Sequence, residues 1–297
     1  MRIVNIVFLL IVAVYSNCFC QRQALVFQSD FGLKDGAVAA MKGVAFSVSD
    51  DLRIFDLTHE IPPFNIWEAA YRLNQSVSYW PAGTVFVSIV DPGVGSSRRS
   101  VVAKMRSGHF IVTPDNGTLT LIAENLGIEE VREIDETRNR LRNSEKSYTF
   151  HGRDVYAYTG ARLAAGVITF EEVGDPIHEQ IIKLPYQKPV FERNQVRGNI
   201  PVLDIQYGNV WTNIDSKTFQ KLGVKTGEHV HIKIVHKDKT VYEGRVPFAN
   251  TFAEVPEGKE VSYLNSLLNF SIAINAQSFA ERYKINSGPD WNIILER

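Results

Sequence analysis

Thr84-Val85-Phe86-Val87-Ser88-Ile89-Val90-Asp91-Pro92-Gly93-Val94-Gly95 is the stretch that decides the fold. Residues 84–90 form a β-branched, apolar run that predicts a strand. It empties into an aspartate followed by a turn rich in glycine and proline, which is how an α/β sheet presents chemistry at the carboxyl end of a strand. Asp91 is therefore a residue to explain.

The neighbouring segments fit a sheet around that strand. Ala24 to Gln28 reads as a first strand, ending at Ser29-Asp30-Phe31-Gly32, and Asp35 to Val48 has helical spacing of Val38, Met41 and Val44. Leu52 to Leu57 reads as a strand. A helix follows from about Asn65 to Tyr79, packing through Ile66, Ala69, Ala70, Leu73 and Val77 and stopped by Pro81-Ala82-Gly83. Ser100 to Met105 and His109 to Thr113 read as a strand pair turned at Ser107-Gly108. A short helix near Leu119 to Asn125, a strand near Val131 and a helix from Asp154 to Ala165 complete the half. Alternating strands and helices predict a mainly parallel sheet covered by helices, an α/β sandwich.

The texture changes after Gly174-Asp175-Pro176. Pro185, Pro189 and the polar Glu192 to Gln195 suggest a linker at 185–195 between an α/β domain at 21–184 and a smaller β-rich domain at 196–297. Val202 to Ile205, His229 to His236, Thr240 to Val246 and Ser271 to Asn275 have the period of two expected of strands. Asp215 is placed to cap a short helix at Ser216 to Leu222.

The chain has 297 residues, 44% of them hydrophobic, which is enough for a sizeable core and two domains. Thirty-two basic residues against 33 acidic ones leave a net charge of -1, so no global field draws nucleic acid or an anionic membrane, and a small molecule is the expected partner. Residues 1–20 have the layout of a secretory signal peptide: Arg2, an apolar run from Ile3 to Val14 interrupted by Asn5, then Ser16-Asn17-Cys18-Phe19-Cys20 before polar residues. The run is shorter than the roughly 20 residues that span a bilayer, which predicts export with cleavage near Cys20 and no stable membrane association afterwards, rather than an uncleaved anchor. Both cysteines fall in this segment, so the mature chain is expected to lack thiol, disulfide and cysteine metal ligands.

Beside Asp91, the candidate site residues are Arg98 and His151, the latter in Thr149-Phe150-His151-Gly152-Arg153-Asp154. An arginine next to a carboxylate pairs its charge, and a histidine offers acid or base chemistry near neutral pH. Each also has an ordinary reading, as a turn aspartate, a solvated arginine and a satisfied loop histidine. Asp30 and Asp115-Asn116-Gly117 offer carboxylates for vicinal hydroxyls, or in the second case a tight turn. His59, Asp91 and His151 would have to converge to bind a metal, and His229-Val230-His231 reads as alternate residues sharing one strand face; neither has a metal-binding pattern, and no metal or cofactor is expected. The phosphate-binding fingerprints of nucleotide enzymes are also unmet.

Taken together, these motifs resemble the S-adenosylmethionine hydroxide adenosyltransferase family, relatives of the fluorinase and chlorinase enzymes. The resemblance runs from about Ala24 to the C-terminus, through Ser29 to Gly32, Met41 to Val44, Asp56 to Pro63, Val90 to Arg98, Pro114 to Gly117, Phe150 to Asp154, Asp204 to Asn213 and Asn265-Ser266. It implies an α/β domain followed by a β-barrel-like domain, assembled as a homotrimer with ligand between one subunit's first domain and a neighbour's second. Carried over, Asp30 holds the ribose hydroxyls with Asn65 and Trp67 nearby. Tyr207 and Phe248 flank adenine, Asp204, Asn209 and Ser266 take polar groups of adenine or methionine, and Trp211 belongs to the same binding motif. Asp91, Arg98 and His151 match the family's water-handling triad.

The resemblance implies hydrolysis of S-adenosyl-L-methionine to adenosine and L-methionine. A sulfonium leaves as a neutral thioether, so what remains is to aim one water at ribose C5′. Water, with a pKa near about 15.7, is expected to give up its proton late, to His151 or Asp91. A halogenase is the alternative, set against the negative charge of Asp91. An exported, non-catalytic adenosine- or sulfonium-binding relative is another, and it would not need the triad.

Overall fold

The computed structural model describes residues 24–297, so the leader-like segment 1–20 and both cysteines lie outside the described residues. The first half is built on a six-stranded sheet. Its strands are β1 (Ala24–Ser29), β2 (Arg53–Thr58), β3 (Val85–Ile89), β4 (Ser100–Met105), β5 (Phe110–Pro114) and β6 (Ile128–Glu133), in the order β2-β1-β3-β5-β4-β6. The pairs β1–β2, β1–β3 and β3–β5 are parallel, whereas β4 runs antiparallel to both β5 and β6.

Side-chain alternation sends the strands' residues into two cores. Leu25, Phe27, Val85, Val87 and Ile89 pack against α1 (Ala37–Val48) and α4 (Tyr158–Ala164) on one face. Val26, Phe86, Val101 and Ile111 pack against Leu73 of α2 (Ile66–Ser76) and Ile122 of α3 (Thr120–Asn125) on the other. Strands buried on both faces explain why 84–90 reads as a continuous apolar run. Gly160 lets α4 sit close: a Cβ there would lie 2.4 Å from Val87 Cγ2.

The second half consists of two open antiparallel sheets over one core, not a closed barrel. One has the order β13-β14-β10-β9, from β13 (Glu260–Leu264), β14 (Asn269–Ile274), β10 (Asn209–Asp215) and β9 (Val202–Asp204). The other has the order β12-β11-β15-β8-β7, from β12 (Lys239–Pro247), β11 (His229–His236), β15 (Trp291–Glu296), β8 (Gln195–Asn199) and β7 (Val190–Glu192). Val210, Ile214, Phe270 and Ile272 of the first face Val196, Val230, Ile232 and Ile293 of the second. A single-residue bridge, Phe248 to Ser262, joins the two near the β12 and β13 edges.

The stretch 185–195 is not wholly linker. Val190–Glu192 pairs with β8 in a hairpin whose turn residues, Arg193 and Asn194, sit at φ 50° and 62°. Two successive left-handed residues make a primed turn whose twist suits a hairpin, and the polar composition that suggests a linker is that of the turn itself. The cap read from sequence is present: Asp215 accepts the Thr218 N–H at the start of α5 (Ser216–Gln220).

Candidate active site

The chain passes from β1 to β2 on one side and then to β3 on the other, so the order of strands reverses between β1 and β3. Their carboxyl ends are level, with Ser29 opposite Ile89, and Asp30 and Asp91 leave the sheet side by side. That crevice is where an open α/β sheet binds ligands. A cavity of about 250 Å³ lies there, lined among others by Asp30, Phe31, Phe64, Asp91, Thr149 and His151.

Asp91 and Arg98 form a multiply bonded ion pair. Arg98 Nε donates to both carboxylate oxygens, at 2.9 and 3.0 Å, and Nη2 donates to Oδ2 at 2.5 Å. Only 10% of the Arg98 side chain and 6% of the Asp91 side chain reach solvent, so the interaction is poorly screened. Burial works against the charged guanidinium, yet the Asp91 hydrogen bonds and nearby negative charge more than offset it and raise the Arg98 pKa. The glycine-rich turn makes room for this: a Cβ on Gly93 would lie 3.2 Å from Ser96 Oγ and 3.4 Å from the Arg98 stem. Gly95, at φ 78°, brings the turn against the Tyr148 carbonyl, just before His151.

Arg98 also fixes the state of His151. Its Nη2 lies 3.1 Å from His151 Nδ1. A guanidinium has no acceptor, so Nδ1 must accept and the neutral ring carries its hydrogen on Nε2. Burial lowers the His151 pKa, with Arg98 and Arg140 adding to that effect and Glu136 and Asp91 opposing it. Nε2 is buried and finds no partner among the described residues. The segment before His151 is held by Arg140, which donates to the carbonyls of Ser144 and Ser147, and by the Leu141 N–H bond to the Asp154 carbonyl.

His151 opens a π-helical turn, Gly152–Ala157, a form that recurs at functional sites. The turn carries Asp154, fully buried and held by Arg153 at 2.7 Å, and Tyr156, whose hydroxyl ends 3.4 Å from Asp91 Oδ2. Phe31 and Phe150 meet edge to face, with centroids 5.7 Å apart. Gly152 is required by that wall: a Cβ would lie 3.0 Å from the Phe31 ring.

Asp30 lines the cavity, as the sequence suggests, and its Oδ2 accepts the N–H of Phe64 at 2.9 Å. Asn65 and Trp67 do not line it. The Asn65 side chain caps α2 by accepting the Glu68 N–H, and the Trp67 indole is buried, donating to the Pro201 carbonyl at 2.9 Å. Phe64 lines it instead, 72% exposed and with its backbone at φ 68°. Three residues before Trp67, the chain turns through Pro62-Pro63 and aims a different aromatic group at the crevice.

Asp115 and Asn116 serve the fold. Asp115 is 2% exposed, pairs with Arg99 at 2.7 Å and accepts the Ile182 N–H. Asn116 donates to the Val90 carbonyl. His59 is likewise engaged, by Ser29 Oγ at 2.7 Å and Asp56 at 3.1 Å. His231 lies on a strand face between Glu243 and Glu296.

Asp204, Tyr207 and Asn209 come together in a second, larger cavity of about 810 Å³ in the other half of the chain. Asn209 Nδ2 donates to Asp204 at 3.1 Å, and Tyr207 is 67% exposed. Phe248 does not reach this cavity. Its ring packs on Phe219 at 4.8 Å in the core, and Phe252 lines the cavity in its place. Trp211 is held in β10 opposite Val202 and Ser271. Ser266 lies apart, in a depression with Gln75, Ser76, Tyr79 and Trp80.

The fold and crevice define an α/β protein with a switch-point ligand site carrying a buried ion pair and a neutral imidazole. The chain belongs to the SAM hydroxide adenosyltransferase family: residues 25–174 match the model of that family's N-terminal domain and residues 198–292 that of its C-terminal domain. It is similar to the (R)-S-adenosyl-L-methionine hydrolase of Methanocaldococcus jannaschii, 35% identical over 264 residues and 86% of each chain. It is also similar to the fluorinase of Actinopolyspora mzabensis, 30% identical over 292 residues, 90% of this chain and 95% of the relative. Among solved structures, an uncharacterized conserved protein from Thermotoga maritima superposes with a TM-score of 0.84 at 34% identity, covering 92% of this chain and all of that one.

Proposed function

We propose that the protein hydrolyses S-adenosyl-L-methionine to adenosine and L-methionine by attack of water on ribose C5′. The observation that carries this reading is the single crevice in which Asp30, suited to vicinal hydroxyls, stands beside the Asp91–Arg98–His151 cluster. Hydrolases of this substrate among the similar proteins support it.

The chemistry follows from which groups give and which take hydrogens. His151, with Nδ1 accepting from Arg98, offers an N–H and no lone pair, so in this state it orients an incoming water by donating to it. Asp91 is the acceptor, and among the described residues its Oδ1 is bonded only to Arg98 Nε, leaving capacity for a water hydrogen. Water then has one hydrogen on Asp91, one lone pair on His151 and another lone pair for carbon. The oxygen–C5′ bond forms as the C5′–sulfur bond breaks, the sulfur keeps the electron pair as methionine's thioether, and the water proton passes to Asp91 late in the step. Because Asp91 is paired with Arg98 in a largely closed site, transfer runs with the charge dispersal of the reacting sulfonium.

About 250 Å³ is less than ligand pockets normally offer a molecule of this size, which supports room for the ribose and reacting centre rather than the whole substrate. The cavity at Asp204, Tyr207, Asn209 and Phe252 is suited to the remainder. We propose that a second copy of the chain supplies it, in a homotrimer. Arg2 and the apolar run after it support export of the enzyme.

Incubating purified residues 21–297 with S-adenosyl-L-methionine in chloride buffer, with product masses as the readout, tests the reading. Adenosine with methionine is the expected result. The similarity to fluorinases makes 5′-chloroadenosine the competing outcome, and unchanged substrate with binding retained would overturn catalysis.

A further inference from the structure

Tyr156 is fully buried, and the ordinary account of such a residue is a core aromatic whose hydroxyl finds the nearest carbonyl. Its hydroxyl instead lies 3.1 Å from Ser100 Oγ and 3.4 Å from Asp91 Oδ2. Ser100, also buried, lies 2.9 Å from Arg98 Nη1. The Arg98 guanidinium is 5.6 Å from the centre of the Tyr156 ring.

The direction of each hydrogen in this set is determined. Arg98 can only donate, so Ser100 Oγ accepts from Nη1. The one hydrogen of Ser100 is then free for Tyr156, and that of Tyr156 points to the carboxylate, which can only accept. Arg98 donates to Asp91 directly, so the four groups close a ring: arginine to serine, serine to tyrosine, tyrosine to aspartate, with arginine and aspartate joined by their ion pair. Chains of hydrogen bonds polarise one another in a low-dielectric setting, and a closed ring leaves no member free to turn. The Tyr156 link is the longest, as expected before substrate binds, since such bonds often tighten only in the complex.

We infer that Ser100 and Tyr156 are positioning residues that lock the Asp91 carboxylate, keeping Oδ2 occupied and Oδ1 presented to the nucleophilic water. The inference rests on the hydrolase reading above. Arg98 reaches both oxygens, whereas the Tyr156 hydroxyl faces Oδ2 alone and so distinguishes the two, and a misplacement on the ångström scale costs on the order of 10²-fold in rate. The π-helical turn matters here because it carries both His151 at its start and Tyr156 near its end, so one irregular element sets the donor and the support of the acceptor.

The test compares wild type with Tyr156→Phe, Ser100→Ala and Ser100→Thr, measuring kcat and KM for S-adenosyl-L-methionine, thermal unfolding, and ¹⁵N shifts of the histidine rings. Tyr156→Phe removes one oxygen from a packed ring and keeps its shape. The expected result is a loss in kcat of about 10- to 100-fold for Tyr156→Phe and Ser100→Ala with KM within about twofold of wild type, as for groups that orient reacting ligands. Ser100→Thr, which keeps the hydroxyl, is expected to recover most of kcat. A kcat within about twofold of wild type in Tyr156→Phe, or a loss that tracks reduced thermal stability without recovery in Ser100→Thr, overturns the inference. If wild type is inert, the hydrolase reading fails first. The His151 ¹⁵N shifts then decide the ring separately: they are expected to move in Tyr156→Phe through the Arg98 link, and unchanged shifts would show no coupling.

Discussion

Replacing Asp91 with asparagine separates the two duties of that side chain. Asparagine keeps the shape and one acceptor oxygen for Arg98 but removes the charge and the group that takes the proton. General-base help is worth about 10²–10⁴ in rate, or about 2.7–5.4 kcal/mol of barrier at about 1.36 kcal/mol per decade. The structural cost is separate. Arg98, with 10% of its side chain exposed, loses its counter-charge, and breaking a buried pair by removing one partner costs about 3–5 kcal/mol. The retained amide oxygen still accepts one arginine N–H, which places the expected cost at the lower end, about 3 kcal/mol. A domain stable by about 5–15 kcal/mol survives that loss and remains almost wholly folded in the assay. The expected outcome of the D91N experiment is thus kcat lower by at least about 10²-fold, an earlier denaturation midpoint with the same denaturant slope, and adenosine affinity little changed. Turnover within about threefold of wild type would refute the assignment of Asp91 as proton acceptor.

Three further outcomes follow from particular contacts. His151 is neutral because burial holds its pKa below the ordinary 6.5, with Arg98 and Arg140 adding to the depression and Glu136 and Asp91 opposing it. Its neutral state therefore favours folding fully above pH 6.5, and that contribution is lost as pH falls through the depressed folded value, where the unfolded chain binds the extra proton. His59, also lowered by burial, acts in the same direction, so stability is expected to fall with acidification below 6.5, and kcat/KM with it as the Arg98 acceptor at Nδ1 is lost; a pH–rate profile whose acid limb lies above 7 would contradict this. Gly152→Ala and Gly160→Ala form a contrasting pair: the first pushes a methyl against Phe31 at 3.0 Å and is expected to raise KM about 10-fold, the second meets Val87 at 2.4 Å and is expected to cost about 1–3 kcal/mol of stability with kcat unchanged, as steady-state kinetics and chemical denaturation would show. Phe64→Ala removes the ring of a residue that is 72% exposed, so stability should stay within about 0.5 kcal/mol while KM for the substrate rises; an unchanged KM would remove Phe64 from the binding surface.

Much of the first half is legible in the chain because its strands are buried on both faces and its turns use residues with few alternatives. Residues 84–90, Asp91 and the following glycines announce both the strand and the site, since a carboxylate in a tight turn after an apolar run has few places to go. Less was readable where the same residue types serve two purposes. Asn65 and Trp67 lie near the crevice in sequence, but the helix that starts at Ile66 uses the first as its cap and buries the second against Pro201. Phe64 lines the crevice. Its signal is local, an aromatic residue directly after Pro62-Pro63 and before a helix cap, where a proline turn projects a side chain away from the sheet. Phe248 and Phe252 show the same ambiguity: the first alternates into the core, the second belongs to a short turn at the cavity rim. Asp115 carries a motif as suggestive as that of Asp91, yet Arg99 claims it for the fold. Which of two adjacent arginines turns toward which carboxylate is set by the pleat of β4, a tertiary fact that no local pattern contains.

A tightly paired carboxylate can still serve as a base because each of its oxygens has two lone pairs. Arg98 and Arg99 precede β4 on successive residues, so their side chains diverge to opposite faces, one to Asp91 and one to Asp115. At Asp115, Arg99 holds Oδ2 and the Ile182 N–H holds Oδ1, at 2.9 Å. At Asp91 the strong contacts crowd onto Oδ2, which receives Arg98 Nη2 and faces Tyr156, while Oδ1 holds a single shared contact from Nε. A side-on guanidinium thus neutralises the pair without exhausting the acceptor. The fork places Nε on Oδ1 and Nη2 on Oδ2, and because each oxygen has two lone pairs, Oδ1 can still accept a water hydrogen. The two aspartates differ in surroundings: Asp91 lines the crevice, whereas the second oxygen of Asp115 is bonded to the Ile182 backbone. Exchanging Arg98 for lysine, a point charge without a fork, should keep the ion pair but release both the Asp91 orientation and the His151 tautomer, reducing kcat by more than the loss of either contact alone.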